Sequence, residues 1–452
     1  MKKTIITLIL VVLCGVTNLR AKPEQPNIVL LLADDLGWAD LGFQGSSDIL
    51  SPNIDQLAKH GIRFTDGHVS ASVCSPSRAG LMTGRYQQRF GHEANSPPPS
   101  EGMDIKQITI ADRLKELGYR TGLIGKWHLG NQDVYYPTRR GFDYFYGLRS
   151  GSRSYFQNAK KDDKKGNPKA IEENGKKVEF EGYLTDVFGQ KAIDFVNSQD
   201  DKPFFLYHSF TAPHGPMHAT EEDKRLFSSI ENTKRRSYAA MIWAMDRAIG
   251  KLIDALKASG EFENTLIWFL SDNGGATGNA SVNLPLAGHK GIKFEGGTRV
   301  PFFAHWPKQF KEPKRFDSMM ISLDIMPTTL AAAGAKEEDL KNLDGVNLLP
   351  FIKGEKATPP HQNLYWHKLW FSAMRDGPWK LIYVQDYGYA LYNLDKDLAE
   401  SKNLIKAENQ RAQNMIQKLN DWKSELEEPR WGEAEVWFRT HSKNHIRIIE
   451  GG

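Results

Sequence analysis

The sequence predicts an α/β protein with a mixed, largely parallel central sheet sandwiched by helices, followed by a smaller C-terminal α+β unit. Two observations predict the large unit: continuous apolar runs of strand length, and helical stretches that alternate with those runs. A third predicts the small unit, because after residue 351 the chain changes to short strand-like segments joined by tight turns. A chain of 452 residues has room for both.

The first 21 residues have the pattern of a signal peptide. Two lysines precede an apolar run over residues 5–16, and Ala21 supplies the small residue expected at a cleavage point. The run is too short to span a membrane, so we expect no membrane span and export to the periplasm or the medium. Lipoprotein anchoring at Cys14 is the alternative, but Leu13 fits poorly where a small residue is wanted.

Charge gives no indication of an anionic partner. Removing residues 1–21 takes away three basic residues and no acidic one, so the formal net charge falls from +4 to about +1. We therefore expect no nucleic-acid partner. The sequence predicts neither the oligomeric state nor any internal repeat.

Four continuous apolar runs predict buried strands of the catalytic domain, for which we expect the bounds 22–351: residues 27–33, 121–125, 203–207 and 265–270. A capped helix is predicted over 51–61, with Ser51 at the cap, Pro52 inside it and Gly61 after its end. Further helices are predicted near 110–117, 185–197, 237–256 and 323–333.

Each of the four runs is followed by polar, titratable residues. Ligands in open α/β sheets bind beyond the carboxyl ends of the strands, so these residues are expected to form one composite site. They are, in chain order, Asp34 and Asp35; Lys126 and His128; His214; Asp272 and Asn273.

The oxygen-bearing members of this group predict a metal site. Asp34, Asp35, Asp272 and Asn273 offer only oxygen ligands, which suits a hard cation such as calcium or magnesium and does not suit zinc. Adjacent aspartates at a strand end repel each other unless a cation lies between them, which favours the same interpretation.

Cys74 is the one cysteine that remains after removal of the leader, which is unusual in an exported chain. Pro76 is suited to the first position of a helix, which would put Cys74 near a helix start that favours an anion. Arg78 and Arg85 follow at a spacing that can bring two guanidinium groups to one oxyanion.

The stretch Cys-Ser-Pro-Ser-Arg followed by Thr-Gly-Arg resembles the type I sulfatase signature at every fixed position. That family belongs to the alkaline phosphatase-like superfamily. The resemblance implies a sulfuric ester hydrolase in which a formylglycine-generating enzyme oxidises Cys74 to formylglycine (3-oxoalanine) before or during export. It also implies one calcium ion, held by the four oxygen ligands together with the modified Cys74.

The resemblance implies a role for each cationic group. Arg78 would hold the formylglycine, while Lys126 and Lys290, from Gly288-His289-Lys290-Gly291, would clamp the sulfate. His214, with Lys290, would protonate or stabilise the leaving sugar oxygen. His128 would take the proton from the second hydroxyl of the aldehyde hydrate, so that no water need attack sulfur. Two further assignments complete the set: His289 could reach the sugar, and Arg85 would buttress the cysteine loop.

The expected substrate is a sulfated carbohydrate, such as an algal galactan of the carrageenan type. Aromatic and basic residues near the expected cleft are compatible with sugar rings, although each aromatic is more often part of a core. They are Trp127, Arg139, Arg140, Arg149, Arg153, His218, Trp366 and Trp370.

Several alternatives stay open. A glycosaminoglycan or an aryl sulfate could be the substrate. A phosphatase or phosphodiesterase is less well matched, because such relatives use Ser or Thr and a second metal. A non-catalytic binder of sulfated glycans would have no use for an oxidisable nucleophile.

The remaining segments predict structure. Residues 160–177 are charged, poor in apolar side chains and rich in turn signals, which predicts an exposed insertion. Residues 348–360 have the character of a linker. The unit expected over 352–452 has predicted strands at 364–370, 372–374, 379–384 and 390–394 and a helix at 407–426.

Overall fold

The computed structural model describes residues 25–158, 161–164, 166–198 and 201–451. The predicted signal peptide, including Cys14, lies outside the described residues. Among the described residues, no helix has both the length and the apolar character that a membrane crossing requires.

The strands form a ten-stranded sheet, a two-stranded sheet and a four-stranded sheet. Their bounds in chain order are β1 Asn27–Ala33, β2 Ile62–Phe64, β3 Gly67–His68, β4 Arg120–Lys126, β5 Tyr144–Leu148, β6 Glu172–Glu173, β7 Lys176–Lys177, β8 Phe204–Ser209, β9 Thr265–Ser271, β10 Phe302–His305, β11 Lys314–Phe316, β12 Met320–Ile321, β13 Asn363–Lys368, β14 Phe371–Asp376, β15 Trp379–Val384 and β16 Gly388–Asn393.

The ten-stranded sheet has the order β11-β2-β10-β9-β1-β8-β4-β5-β6-β7. The five strands from β9 to β5 are parallel to one another, while β10, β6 and β7 add antiparallel pairs. The predicted mixed, largely parallel sheet is thus confirmed, and β1, β4, β8 and β9 are the four predicted apolar runs.

The helices have the bounds α1 Pro52–Lys59, α2 Cys74–Thr83, α3 Ile110–Glu116, α4 Leu184–Asn197, α5 Glu221–Leu226, α6 Thr233–Ala258, α7 Glu295–Thr298, α8 Ile325–Ala332, α9 Leu349–Ile352, α10 Asn409–Lys423 and α11 Glu435–Ile449. Helices α1, α4 and α6 cover one face of the large sheet, and α2, α3 and α8 cover the other. Strand β1 shows why its sequence lacks alternation: Leu31 packs into the first of these cores and Leu30 into the second.

The register of the central strands fixes the position of the residues that follow them. Ala33 pairs with Ser271, and Gly125 pairs with Ser209. The next residues along β1, β9 and β4 are therefore brought to one level at the same edge of the sheet.

Strands β13 to β16 form the predicted antiparallel sheet, and α10 packs against it over a separate apolar core. The predicted C-terminal α+β unit is confirmed in these elements, whereas the boundary at residue 351 stays a prediction. The second C-terminal helix, α11, was not predicted. Helix α11 lies next to the candidate active site.

Two local predictions were wrong, and a third was right in position only. Helix α2 begins at Cys74 and not at Pro76; proline is tolerated as the third helical residue because the first N–H groups of a helix have no intrahelical acceptor. The predicted cap position of Ser51 is confirmed, since Ser51 is the N-cap residue of α1, but its hydroxyl donates to Asp55 and makes no hydrogen bond to the first turn of the helix backbone. The described residues of the segment 160–177 are only partly exposed, because β6 and β7 extend the large sheet and Asp163 forms a buried ion pair with Arg153.

Candidate active site

Cys74 lies at the centre of the site as the first residue of α2. Its side chain is almost fully buried, and its Sγ lies 3.0 Å from Lys290 Nζ, 3.6 Å from Asp34 Oδ1 and 3.8 Å from Asp35 Oδ1. Burial, reinforced by Asp272, raises the pKa of the thiol to about 12. The unmodified side chain would be a protonated thiol at neutral pH and hence a poor nucleophile.

Two neighbours hold the first turn of α2. The backbone N–H of Ser75 donates to Asn95 Oδ1 over 2.9 Å, which satisfies one of the free N–H groups at the helix start. The Ser75 hydroxyl donates to the His128 carbonyl over 2.8 Å. The nucleophile position is therefore tied both to the loop at Asn95 and to the end of β4.

The predicted oxygen ligands converge around Cys74. Asp34, Asp35 and Asp272 are buried, and the Asp35 N–H donates to Asp272 Oδ1 over 3.2 Å. Asn273 Nδ2 donates to Asp35 Oδ1 over 2.8 Å, whereas Asn273 Oδ1 is buried and has no hydrogen-bond donor among the described residues. An amide oxygen without a donor beside three carboxylates is a set of oxygen ligands that suits a calcium ion. The residues present therefore fit the predicted metal.

Each carboxylate has a cationic partner. Lys126 Nζ lies 2.7 Å from Asp34 Oδ2, Lys290 Nζ lies 2.6 Å from Asp35 Oδ1, and Arg78 Nε lies 2.9 Å from Asp272 Oδ2. Ser209, at the end of β8, accepts from Arg78 over 2.6 Å and orients the guanidinium. Polar residues from four strand ends therefore meet, as the sequence predicts.

The charges of the site act on one another. Burial acts to raise the pKa of Asp34, but Lys126, His214 and Arg78 outweigh it and hold that pKa below its ordinary value. Burial and the negative charge of Asp34 raise the pKa of Asp272. Three carboxylates thus face three permanent cations, so a bound divalent cation would make the site positive and favour an anionic ester.

Both predicted catalytic histidines interact with the charged groups of this cluster. Burial, reinforced by Lys126, holds the pKa of His128 well below its ordinary value, so its ring is neutral and can accept a proton. His128 adopts a left-handed backbone conformation with φ of 60°. His214 Nδ1 lies 2.6 Å from the Gly215 carbonyl, and its Nε2 lies 3.5 Å from Asp35 Oδ2.

A cleft of about 510 Å³ opens from this cluster. Asp35, His214, His289 and Lys290 line it, so the predicted sugar-facing His289 is brought to the cleft. Sequence reasoning missed the other side, which also carries Asn95, Lys368, Glu433, Trp437, Thr440 and Asn444. The signal that could have found it was the helical pattern of residues 435–449.

Some predicted contacts are absent from this site. Arg85 does not buttress the cysteine loop through its guanidinium, which donates to Gln107 over 2.9 Å. Trp127 and Trp366 are fully buried and cannot stack on a sugar; their indole N–H groups donate to the carbonyls of Tyr135 and Val69. Both aromatics belong to the core because their polar edge finds a backbone acceptor there.

Three of the basic residues that we expected near the substrate instead bind other parts of the protein. The Arg140 guanidinium donates to the carbonyls of Met103, Asp104 and Gln107. Arg149 pairs with Glu172 over 3.1 Å, and Arg153 pairs with Asp163 over 2.8 Å. Arg149 and Arg153 thus stabilise the segment between β4 and α4, whereas Arg140 ties that segment to the loop before α3.

Comparison with known proteins settles the family. The sulfatase family model matches residues 26–335, and the model described as N-sulphoglucosamine sulphohydrolase, C-terminal, matches residues 289–428. The chain belongs to the sulfatase family. The resemblance of the Cys74 motif to formylglycine-dependent sulfatases of the alkaline phosphatase-like superfamily is thereby confirmed, and this sulfatase is a sulfuric ester hydrolase.

Individual relatives agree. Uncharacterized sulfatase YdeN of Escherichia coli (strain K12) is 30% identical over 405 residues, covering 77% of this chain and 70% of that protein. N-acetylgalactosamine-6-sulfatase of Mus musculus is 33% identical over 361 residues, covering 75% of this chain and 68% of that protein. The crystal structure of Ps i-CgsB in complex with k-i-k-neocarrahexaose is 38% identical with a TM-score of 0.86, covering 94% of this sulfatase and 99% of that chain.

Proposed function

We propose that this sulfatase is an exported enzyme that removes sulfate from a sulfated algal galactan or its oligosaccharides, of the carrageenan type. The observation that carries the proposal is the cluster of Lys290, Asp34 and Asp35 around Cys74 Sγ, at the end of a cleft of about 510 Å³. The likeness to a solved structure that holds a neocarrahexaose supports the galactan.

Cys74, as formylglycine, is the proposed nucleophile. The hydrated aldehyde supplies one hydroxyl for attack on sulfur and a second through which sulfate can be expelled, and a calcium ion supplies positive charge against the ester oxygens. Asp34, Asp35, Asp272, Asn273 and the modified Cys74 would hold that ion. The high pKa of the unmodified thiol supports an oxidised working form.

The fixed cations would bind the sulfate. The ester gains negative charge as its S–O bond breaks, so donors that are already in place stabilise the transition state most. Lys126 and Lys290 are held by Asp34 and Asp35, and Arg78 is held by Asp272. Their positions are thus set before substrate binds.

Two histidines would move protons. His214 Nδ1–H would donate to the Gly215 carbonyl, so the imidazolium form of the ring would give its Nε2 proton to the departing sugar oxygen. His128, with a neutral ring, would accept the proton of the second hydroxyl at position 74. His289 is proposed to contact the sugar from the cleft wall.

A glycosaminoglycan is the second candidate substrate. The 33% identity to the mouse N-acetylgalactosamine-6-sulfatase supports it. A panel of defined carrageenan and glycosaminoglycan oligosaccharides, assayed for released sulfate, separates the two. Turnover of aryl sulfates alone would overturn both.

The test of the chemistry uses protein from a host with the cysteine-oxidising machinery. Peptide mass spectrometry should find the peptide that contains residue 74 about 18 Da lighter than its cysteine form. Sulfate release from a neocarrahexaose and from para-nitrophenyl sulfate should be abolished in Cys74→Ala. An intact thiol in protein that binds sulfated glycan without turnover would support a binder instead.

A further inference from the structure

The last helix, α11, forms one wall of the active-site cleft. Trp437, Thr440 and Asn444 line the cleft that also contains Asp35 and Lys290. The indole of Trp437 is 53% exposed, so this large aromatic face adds little to the core that it adjoins. An exposed indole in a cleft is a binding surface that the fold itself does not need.

The helix that carries Trp437 is rigidly attached to the loop that carries Lys290. His441 Nδ1 lies 2.9 Å from the Gly291 carbonyl, and His445 Nε2 accepts from the Lys293 N–H over 2.9 Å. The His445 ring also stacks on Phe371, with centroids 4.7 Å apart. The separation between the indole and the sulfate-binding lysine is therefore fixed by buried contacts.

The acidic and basic side chains that line this cleft occur in pairs of opposite charge, and one pair is Lys290 with Asp35. Helix α11 contributes Trp437, Thr440, Asn444 and His441 to the cleft. The first three are uncharged, and burial lowers the pKa of His441 to about 4, so that its ring is neutral at neutral pH. Lys368 is neutralised by Glu433, whose Oε2 lies 2.7 Å from Lys368 Nζ, and both side chains are nearly buried. A neutral, hydroxylated ring fits this environment better than a second anionic group.

Glu433 also connects this wall to the nucleophile. Its Oε1 accepts from the Asn95 N–H over 2.9 Å, and Asn95 Oδ1 accepts from the Ser75 N–H beside Cys74. The wall is thus held against the catalytic centre from two sides, through Gly291 and through Asn95.

We propose that Trp437 stacks on a neutral sugar ring next to the residue whose sulfate is removed, with Asn444 and Thr440 placed for its hydroxyls. The α11 wall thereby selects oligosaccharides over small sulfate esters. This inference rests on the proposed carbohydrate sulfatase function. Its ligand is a ring with one apolar face and several hydroxyl groups.

The test compares kcat/KM for a neocarrahexaose with kcat/KM for para-nitrophenyl sulfate. We expect Trp437→Ala to lower the ratio of the two values by roughly tenfold, because stacking on an aromatic face contributes to oligosaccharide binding only. Trp437→Phe should recover most of the ratio. The matched control is Val436→Ala, since Val436 is 64% exposed on the same helix but does not line the cleft.

The outcomes separate the two proposals. If the wild type cleaves the hexaose and Trp437→Ala keeps the wild-type ratio at an unchanged melting temperature, the stacking role is overturned and the proposed function stands. If the wild type cleaves para-nitrophenyl sulfate but no carbohydrate, the proposed function fails and the stacking role fails with it. Equal losses in Trp437→Ala and Val436→Ala would show a structural effect of α11 and would also overturn the stacking role.

Discussion

Replacing Lys380 with methionine tests the buried ion network that joins the C-terminal sheet to the catalytic domain. Lys380 lies on β15 with a fully buried side chain, and its Nζ lies 2.7 Å from Glu295 Oε1 and 3.3 Å from Glu400 Oε1. Methionine fills a similar volume, so the main effect is the loss of a positive charge between two buried carboxylates. Breaking such a pair from one side costs roughly 3–5 kcal/mol of unfolding free energy.

The chain offers a matched control nearby, an exposed ion pair between Lys418 on α10 and Asp376 at the end of β14. Lys418 Nζ lies 2.6 Å from Asp376 Oδ2, and the two side chains are 46% and 34% exposed. Because solvent screens this pair, Lys418→Met should cost only about 0.2–1 kcal/mol.

Urea unfolding followed by circular dichroism, at pH 8 and fixed calcium, measures both variants. We expect a much larger fall in the denaturation midpoint for Lys380→Met than for Lys418→Met. Equal falls, or a Lys380→Met protein as stable as the wild type, would refute the argument from burial.

Two further predictions concern pH and metal. Burial raises the pKa of Glu400 from 4.5 to about 7, against the opposing effect of Lys380. The folded protein therefore binds a proton that the unfolded chain releases, so this contribution to stability is present below pH 4.5 and is lost as pH rises through 7. Wild type should lose stability relative to Glu400→Gln across that window in urea titrations, and parallel pH profiles would contradict this. Calcium added to chelator-treated protein should raise the melting temperature, and Asn273→Ala should reduce that rise; identical rises in both proteins would rule out Asn273 as a ligand.

The sequence predicted which polar residues meet in the site, because the carboxyl ends of parallel strands lie at the same edge of a sheet. Asp34, Lys126 and Asp272 follow buried parallel strands, and parallel strands end at one edge wherever they lie along the chain. Ser209 could have been found by the same rule, since it ends β8. The positions of these groups thus depend on strand register, which apolar patterning indicates well.

The residues of the cleft wall could not be found in this way. Glu433 and Trp437 reach the cleft through the docking of α11, which depends on contacts between segments far apart in sequence, such as His441 with Gly291. The burial of Trp127 and Trp366 could not be predicted either, because the sequence does not distinguish an aromatic residue that packs in a core from one that stacks on a sugar ring.

The burial of Cys74 has a consequence for the order of events in biosynthesis. A side chain that is 1% exposed, at the start of a buried helix, is out of reach of any modifying enzyme once the protein has folded. Arg78 on that helix bonds Asp272, 194 positions later, and one wall of the cleft comes from α11, later still in the chain. The fold therefore encloses Cys74 only when segments far along the chain have packed, so an enzyme that modifies this residue would have to act before folding is complete.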